Sequence, residues 1–448
     1  MKMINRLVLF SAFVGVFALW SGGVWAQNCD IQYEAIIKLR APTLGSYNVW
    51  DSVHGEIPTH ERFKSALVNE TGTVLAAGER VLPAKGDRKD LLLVEIGRNG
   101  RVLWEKDYEV PGLAELVKVL PHDKGMVMLA NITPPKGRQH IWLGVFNLQG
   151  DLLFSKVVRD PGNHLRGHDM EPSASGQSFV IAASASSPKE DKPDWSVLYR
   201  VNSAGVVIAD HAFVIGSENA VYDLYPMKDG GYVASGSIDN AIGRKTGWVM
   251  RIAEDLNMMW QKSYPRGAAA EIVRAHEMLA DTLAVVGSAL PMGDGNRAAW
   301  VMVVNDATGD VVWQRYLNGS LHFDGRDVMV SEDGLISVLI DGQTPEGSEE
   351  IEHVRLLTLN PRGVLFSSDE FFNGEAVDAY ALMASKGAER LIIGETRVAY
   401  KIEHSRAINE QGPEIPDEVV RSQEGWVVAA TGVDPYPDPC RQRERVMP

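Results

Sequence analysis

Tryptophan recurs at positions 142, 195, 248 and 300, at intervals of 53, 53 and 52 residues. Each of these opens an apolar run that leads through a turn to a second bulky residue, as in Trp248 to Trp260 and Trp300 to Trp313. The same unit occurs without the leading tryptophan at Leu91 to Trp104 and at Val354 to Phe366. Upstream of each run lies another hydrophobic stretch that ends near a small residue. Val74–Gly78, Val127–Ala130, Val180–Ser184, Tyr232–Gly236, Leu283–Gly287, Ile336–Ile340 and Leu391–Gly394 make seven copies. A repeat of this length is one supersecondary unit that buries its apolar face only by stacking against its neighbours.

The runs are four to six residues long, rich in Val, Ile and aromatics, and separated by Gly, Asn, Asp and Pro turns, so they read as strands. No helical stripe of useful length competes with them. About four strands per period, seven times over, predicts an all-β chain. The expected architecture is a β-propeller of seven blades with four antiparallel strands each, eight being the alternative count. A strand solenoid fits less well, because its repeats are shorter and its ends need not meet. Residues 27–448 are expected to form this single domain, with 27–60 and 395–448 as closure segments. After Gly394 the tryptophan run is missing, a polar stretch follows from Glu403 to Gln423, and Gly425 to Ala430 reads as a strand. The orphan strand Asp30 to Leu39 is expected to complete the last blade.

The amino end reads as a secretory signal. Lys2 and Arg6 precede the uncharged stretch Leu7 to Trp20, and Val24, Trp25 and Ala26 offer a cleavage site before Gln27. The apolar stretch is shorter than a bilayer-spanning helix needs, and no other segment is apolar enough to cross. Periplasmic or extracellular location is therefore expected. In such an oxidising compartment the only two cysteines, Cys29 and Cys440, are expected to bridge and fasten the ring. The formal charge of −15, from 44 basic and 59 acidic residues, counts against a nucleic-acid partner. A monomer is expected.

The repeat resembles that of secreted bacterial propellers in the quinoprotein-like (PQQ-type repeat) superfamily. Asp229, Gly230, Gly231, Tyr232 and Gly236, followed by Trp248 and Trp260, carry the likeness best. Val303 to Trp313 is similar to the tryptophan-docking motif: Thr308, Gly309 and Trp313 match, while Val303 and Asn305 replace its Ala and Asp. The resemblance spans roughly residues 60–400 and implies a scaffold, with Trp104, Trp260 and Trp313 packing between blades. Quinone-cofactor dehydrogenases of that superfamily carry a vicinal cysteine pair; this chain has none, so no cofactor is expected.

Linear catalytic signatures are missing: there is no phosphate loop, nucleophile elbow, paired CxxC or calcium loop. His276 and Glu277 lack the second histidine of a zinc-protease helix, and Ser331 to Gly334 fails the Asp-box pattern. What remains is a polar position 11–16 residues ahead of each small anchor residue. Arg62 and Lys64, Glu115 and Lys118, and His168 and Asp169 occupy it in the first copies. Asp223, Arg274 and His276, Arg326 and Asp327, and Asp378 follow. The innermost strand of a blade lines the central channel, so these side chains are expected to gather around its mouth. His168, Asp169, Asp223, Arg274, His276, Arg326, Asp327 and Asp378 are the candidate binding residues. His164, His168 and Asp169 contain the atoms a metal needs, although their segment reads as a loop entering a strand and no metal is expected.

These observations lead to an exported, non-enzymatic propeller. It is expected to bind a protein, peptide or glycan through its channel mouth and loop face. The competing expectation is a hydrolase or lyase that assembles His168, Asp169, Arg274, His276 and Arg326 from different blades into one site.

Overall fold

A computed structural model describes residues 31–39, 48–55, 59–83, 86, 88–188, 194–278, 281–293, 295–345, 352–385, 390–402 and 418–430. The expected signal segment 1–26 and the expected bridge partners Cys29 and Cys440 lie outside the described residues. The described residues build a seven-bladed β-propeller, all strand and turn. Blades 1 to 6 take residues 60–108, 113–158, 164–213, 219–264, 269–318 and 322–371, each as a four-stranded antiparallel meander from the innermost strand outward. Blade 7 takes its three inner strands from residues 376–430 and its outer strand from Asn48–His54.

The closing strand is therefore Asn48–His54, which pairs antiparallel with Glu418–Ala430. The expectation that Asp30 to Leu39 completes the last blade is corrected. Glu34–Lys38 instead adds to blade 5 as a fifth strand, parallel to Val311–Asn318. The alternating exposure along Glu34–Lys38 suits a strand lying on an outer edge, with Ile37 against the core.

Blade 7 also contains the tryptophan that the period leaves out after Gly394. Trp426 pairs with Gly394, as Trp248 pairs with Gly236 and Trp300 with Gly287. The strands around residues 403–417 are extended to 13 residues each, which delays the tryptophan in sequence and leaves its place in the sheet unchanged. Trp195 is the converse case. Its 53-residue spacing is a coincidence, because Val197 occupies the register position that Trp248 holds in blade 4.

Each innermost strand carries a β-bulge. The ladder slips by one residue between Phe63 and Ser65, Leu116 and Lys118, and Gly167 and Asp169. It slips again at Val221/Asp223, Ile272/Arg274, Gly325/Asp327 and Ala379/Ala381. A bulge bends and twists its strand, and here it drives a backbone carbonyl toward the second strand. A Cβ on Gly236 would stand 1.9 Å from the Ala220 carbonyl oxygen. That contact explains the small residue at the end of the second strand.

Blades are joined by tryptophan docking and by side chains that capture backbone groups of the neighbour. Trp260 donates from Nε1 to the Asp306 carbonyl at 2.8 Å, and a Cβ on Gly309 would meet its ring at 2.8 Å. Trp313 does the same over Gly363, and Trp104 lies over Gly150. Trp50, on the closing strand, covers Gly100 of blade 1. The same docking contact thus crosses the seam of the ring.

Candidate functional site

The bulges sort the channel side chains into tiers. At the bulge itself stand Lys64, Val117, His168, Tyr222, Val273, Arg326 and Tyr380; immediately after it stand Ser65, Lys118, Asp169, Asp223, Arg274, Asp327 and Ala381. Five members of the second tier are ionisable, and each of the three carboxylates has a cation of the same tier close by. Lys118 binds Asp169 at 2.7 Å and also Glu171. Arg274 binds Asp223 at 2.8 Å and approaches Asp327 at 3.6 Å.

The same carboxylates hold the blades together. Asp169 accepts the Leu224 N–H at 2.9 Å, Asp223 accepts that of Ala275 at 3.1 Å, and Asp327 accepts that of Leu382 at 2.6 Å. Between blades 1 and 2, Glu79 accepts the Leu116 N–H at 2.9 Å. These are charge-assisted bonds in a buried setting, where an unpaired group is costly.

The ring compensates its own charge. Burial pushes the Asp169 carboxyl up, but Lys118, Arg274 and two hydrogen bonds outweigh it and hold Asp169 below the usual range. Burial raises Asp223 well above that range, against the pull of Arg274. Burial also brings Glu171 to about 7, against Lys118. Burial raises Asp327 as well, against the pull of Arg274.

The candidates proposed from sequence divide accordingly. Asp223, Arg274, Asp327 and His276 line a channel cavity of about 270 Å³, together with Lys118 and Glu171. His168, Asp169 and Arg326 are absent from its lining. His168 turns instead to Ser184 Oγ at 2.8 Å, and burial, with Arg166 adding to it, pushes its imidazole down to about 4. Arg326 pairs with Asp341 and lies 3.9 Å from Asp378. His276 is held by the Glu277 carbonyl at 2.8 Å and packs against the Tyr225 ring, 4.4 Å between centroids. The five residues of the competing enzyme expectation are thus divided among separate pairs.

His164 and His168 do not meet on one ligand. His164 accepts the Gln139 N–H at 3.2 Å on the loop face, while His168 bonds within its own blade. Among the described residues no group of three His, Cys, Asp or Glu side chains is arranged to hold a metal.

Two features escaped the sequence reading. In the channel, the Lys64 ammonium sits over the Tyr380 ring, 3.1 Å from its centroid, and burial brings it down to about 8 against the pull of Glu79 and Glu395. The larger feature is a groove of about 1000 Å³ on the loop face over blade 2, reaching Pro188 of blade 3. Trp142 and Val157 belong to its floor; Lys136, Arg138, Arg159 and His164 stand around it. Arg138 donates to the Pro161 carbonyl at 2.8 Å. Lys136, Arg138 and Arg159 form no ion pair among the described residues, and Asp160 is the one carboxylate on the lining. Its sequence signal was the hairpin Pro134 to Arg138, where two prolines precede a cationic turn.

No protein family and no curated protein matches this sequence. Solved structures do. A puromycin hydrolase mutant complexed with PGG aligns with a TM-score of 0.50 and 15% identity, over 84% of this chain and 55% of that one. This chain therefore spans about half the length of that hydrolase. The periplasmic gluconolactonase PpgL of Pseudomonas aeruginosa aligns with a TM-score of 0.45 and 12% identity, over 83% of this chain and 99% of that one. The likeness is one of fold. No family model supports the PQQ-type repeat specifically.

Proposed function

We propose that this chain is an exported binding propeller that engages a macromolecular partner on its loop face, and that its channel is a structural hub. One contrast carries the reading: the channel cations Lys118, Arg274 and Arg326 are each paired with a carboxylate, whereas the groove cations Lys136, Arg138 and Arg159 have no ionic partners among the described residues. A catalytic acid or base must be free to exchange its proton with a substrate. Asp169, Asp223 and Asp327 are committed to backbone N–H groups of the next blade, and His168 is committed to Ser184. The groove, by contrast, combines a tryptophan floor with cations facing solvent, the composition of a recognition surface.

Exported protein bearing a purification tag should retain a defined partner from the envelope extract of its host. Lys136→Glu/Arg138→Glu/Arg159→Glu should abolish that retention, and His168→Ala with His276→Ala should leave it intact. The opposite pattern would contradict the proposal. So would turnover of ester, amide or lactone substrates that His168→Ala removes.

A further inference from the structure

Blade 2 exposes an apolar outer edge, a trait it shares with Val207–Phe213 of blade 3 and Met258–Tyr264 of blade 4. Among the described residues, Leu152–Val158 has one neighbouring strand and one open side. Leu152, Leu153 and Val157 on it are 46%, 48% and 41% exposed, and Lys156 is its one charged residue. Blade 1 guards the equivalent edge, Val102–Tyr108, with Glu105, Lys106 and Asp107. An open apolar edge is a template for strand pairing, and proteins usually protect it with charge.

Blade 5 shows what such an edge accepts in this fold. Glu34–Lys38 lies along Val311–Asn318 as a fifth strand, in register over five residues. Blade 2 has no such cover among the described residues, and its edge runs into the cationic groove. Val157 pairs with Trp142, and both line the groove with Ser155. A strand added about 4.8 Å beyond this edge would direct alternate side chains into the groove, toward Lys136, Arg138 and Arg159.

From the open edge and the unmatched cations together, we infer that blade 2 binds an extended, acidic protein segment as a fifth β-strand. This rests on the loop-face reading above and specifies its partner. Charge complementarity selects the occupant. The chain's own carboxyl end is a poor one, because Arg441, Arg443 and Arg445 outnumber Glu444 in its last eight residues.

The test is fluorescence anisotropy of a labelled eight-residue peptide alternating valine and glutamate, titrated with the full exported chain. The peptide should bind, and Lys136→Glu/Arg138→Glu/Arg159→Glu should weaken it at least about tenfold. In a β-ladder alternate residues face the same neighbour. N-methylation of one alternate set of peptide amides should therefore abolish binding, while the other set should be tolerated. If both methylated peptides bind as well as the parent, the contact is charge alone and strand addition is overturned. If polygalacturonate binds in place of the peptide and the charge reversals remove it, strand addition falls while the loop-face reading stands. A dimer of the chain that the peptide does not dissociate would make a second copy the occupant and overturn the inference. If neither probe binds, both readings fall.

Discussion

Asp327 holds two blades with one carboxylate. It accepts the Val328 N–H at 2.8 Å within blade 6 and the Leu382 N–H at 2.6 Å in blade 7, with Arg274 of blade 5 nearby. Asp327→Ala should lower stability by about 3 kcal/mol, because it orphans two buried donors and part of a cation's compensation. Urea unfolding should show a lower midpoint at unchanged slope. His168 yields a pH prediction. Its imidazole is held near 4 in the fold against an ordinary 6.5, so the neutral form is the one accommodated. That contribution is fully present above pH 6.5 and is lost as pH falls toward 4. Between pH 7 and 4 the wild type should lose on the order of 3 kcal/mol relative to His168→Gln. Equal pH profiles would show that His168 is solvated. The polar character of the channel residues was legible in the sequence. Their pairing was not, because a bulge decides which of two adjacent residues, His168 or Asp169, points to the next blade.

At the scale of strands and turns, the docking of Trp260 on Gly309 is the repeated device. Gly309 has a positive φ of 69°, and a Cβ there would press on the Trp260 ring. Trp260→Ala should cost about 3 kcal/mol through lost packing and a lost hydrogen bond. Gly309→Ala should cost about 1 kcal/mol for its backbone conformation, and more while the ring is present. A double-mutant cycle should therefore give a coupling of about 1 kcal/mol, and strict additivity would exclude direct docking. The motif at Val303 to Trp313 pointed to this contact because its glycine and tryptophan are separated by a fixed turn. The equivalent contact at Trp50 was hidden, since its partner Gly100 lies in the first blade and Trp50 precedes the first full repeat. Trp195 misled for the opposite reason: spacing in sequence matches register only where turns and bulges have equal lengths.

For the molecule as a whole, closure depends on the borrowed strand Asn48–His54. Without it, the outer side of Glu418–Ala430 loses its pairing and Trp50 leaves Gly100. A chain lacking residues 1–58 should fail to unfold cooperatively, and a peptide of residues 46–56 added in trans should restore a single transition. Cooperative unfolding of the shortened chain alone would show that the seam is held elsewhere. Seven blades and a borrowed strand were legible from the period and from the incomplete last copy. Which amino-terminal segment is borrowed was not, because Asn48 to His54 (Asn-Val-Trp-Asp-Ser-Val-His) lacks the alternation of a half-buried strand. The groove over blade 2 was invisible for a related reason. It gathers Pro111, Arg138, Arg159 and Pro188 from separate connections, and only the packing of neighbouring blades brings them together.

Hydrogen–deuterium exchange of the full chain, with and without the acidic eight-residue peptide, tests the central claim most directly. The account predicts new protection confined to residues 132–142 and 152–164, the groove and the open edge of blade 2. Protection appearing instead on the channel strands around Glu171, Asp223 and His276 would contradict it and return the channel to the role of binding site.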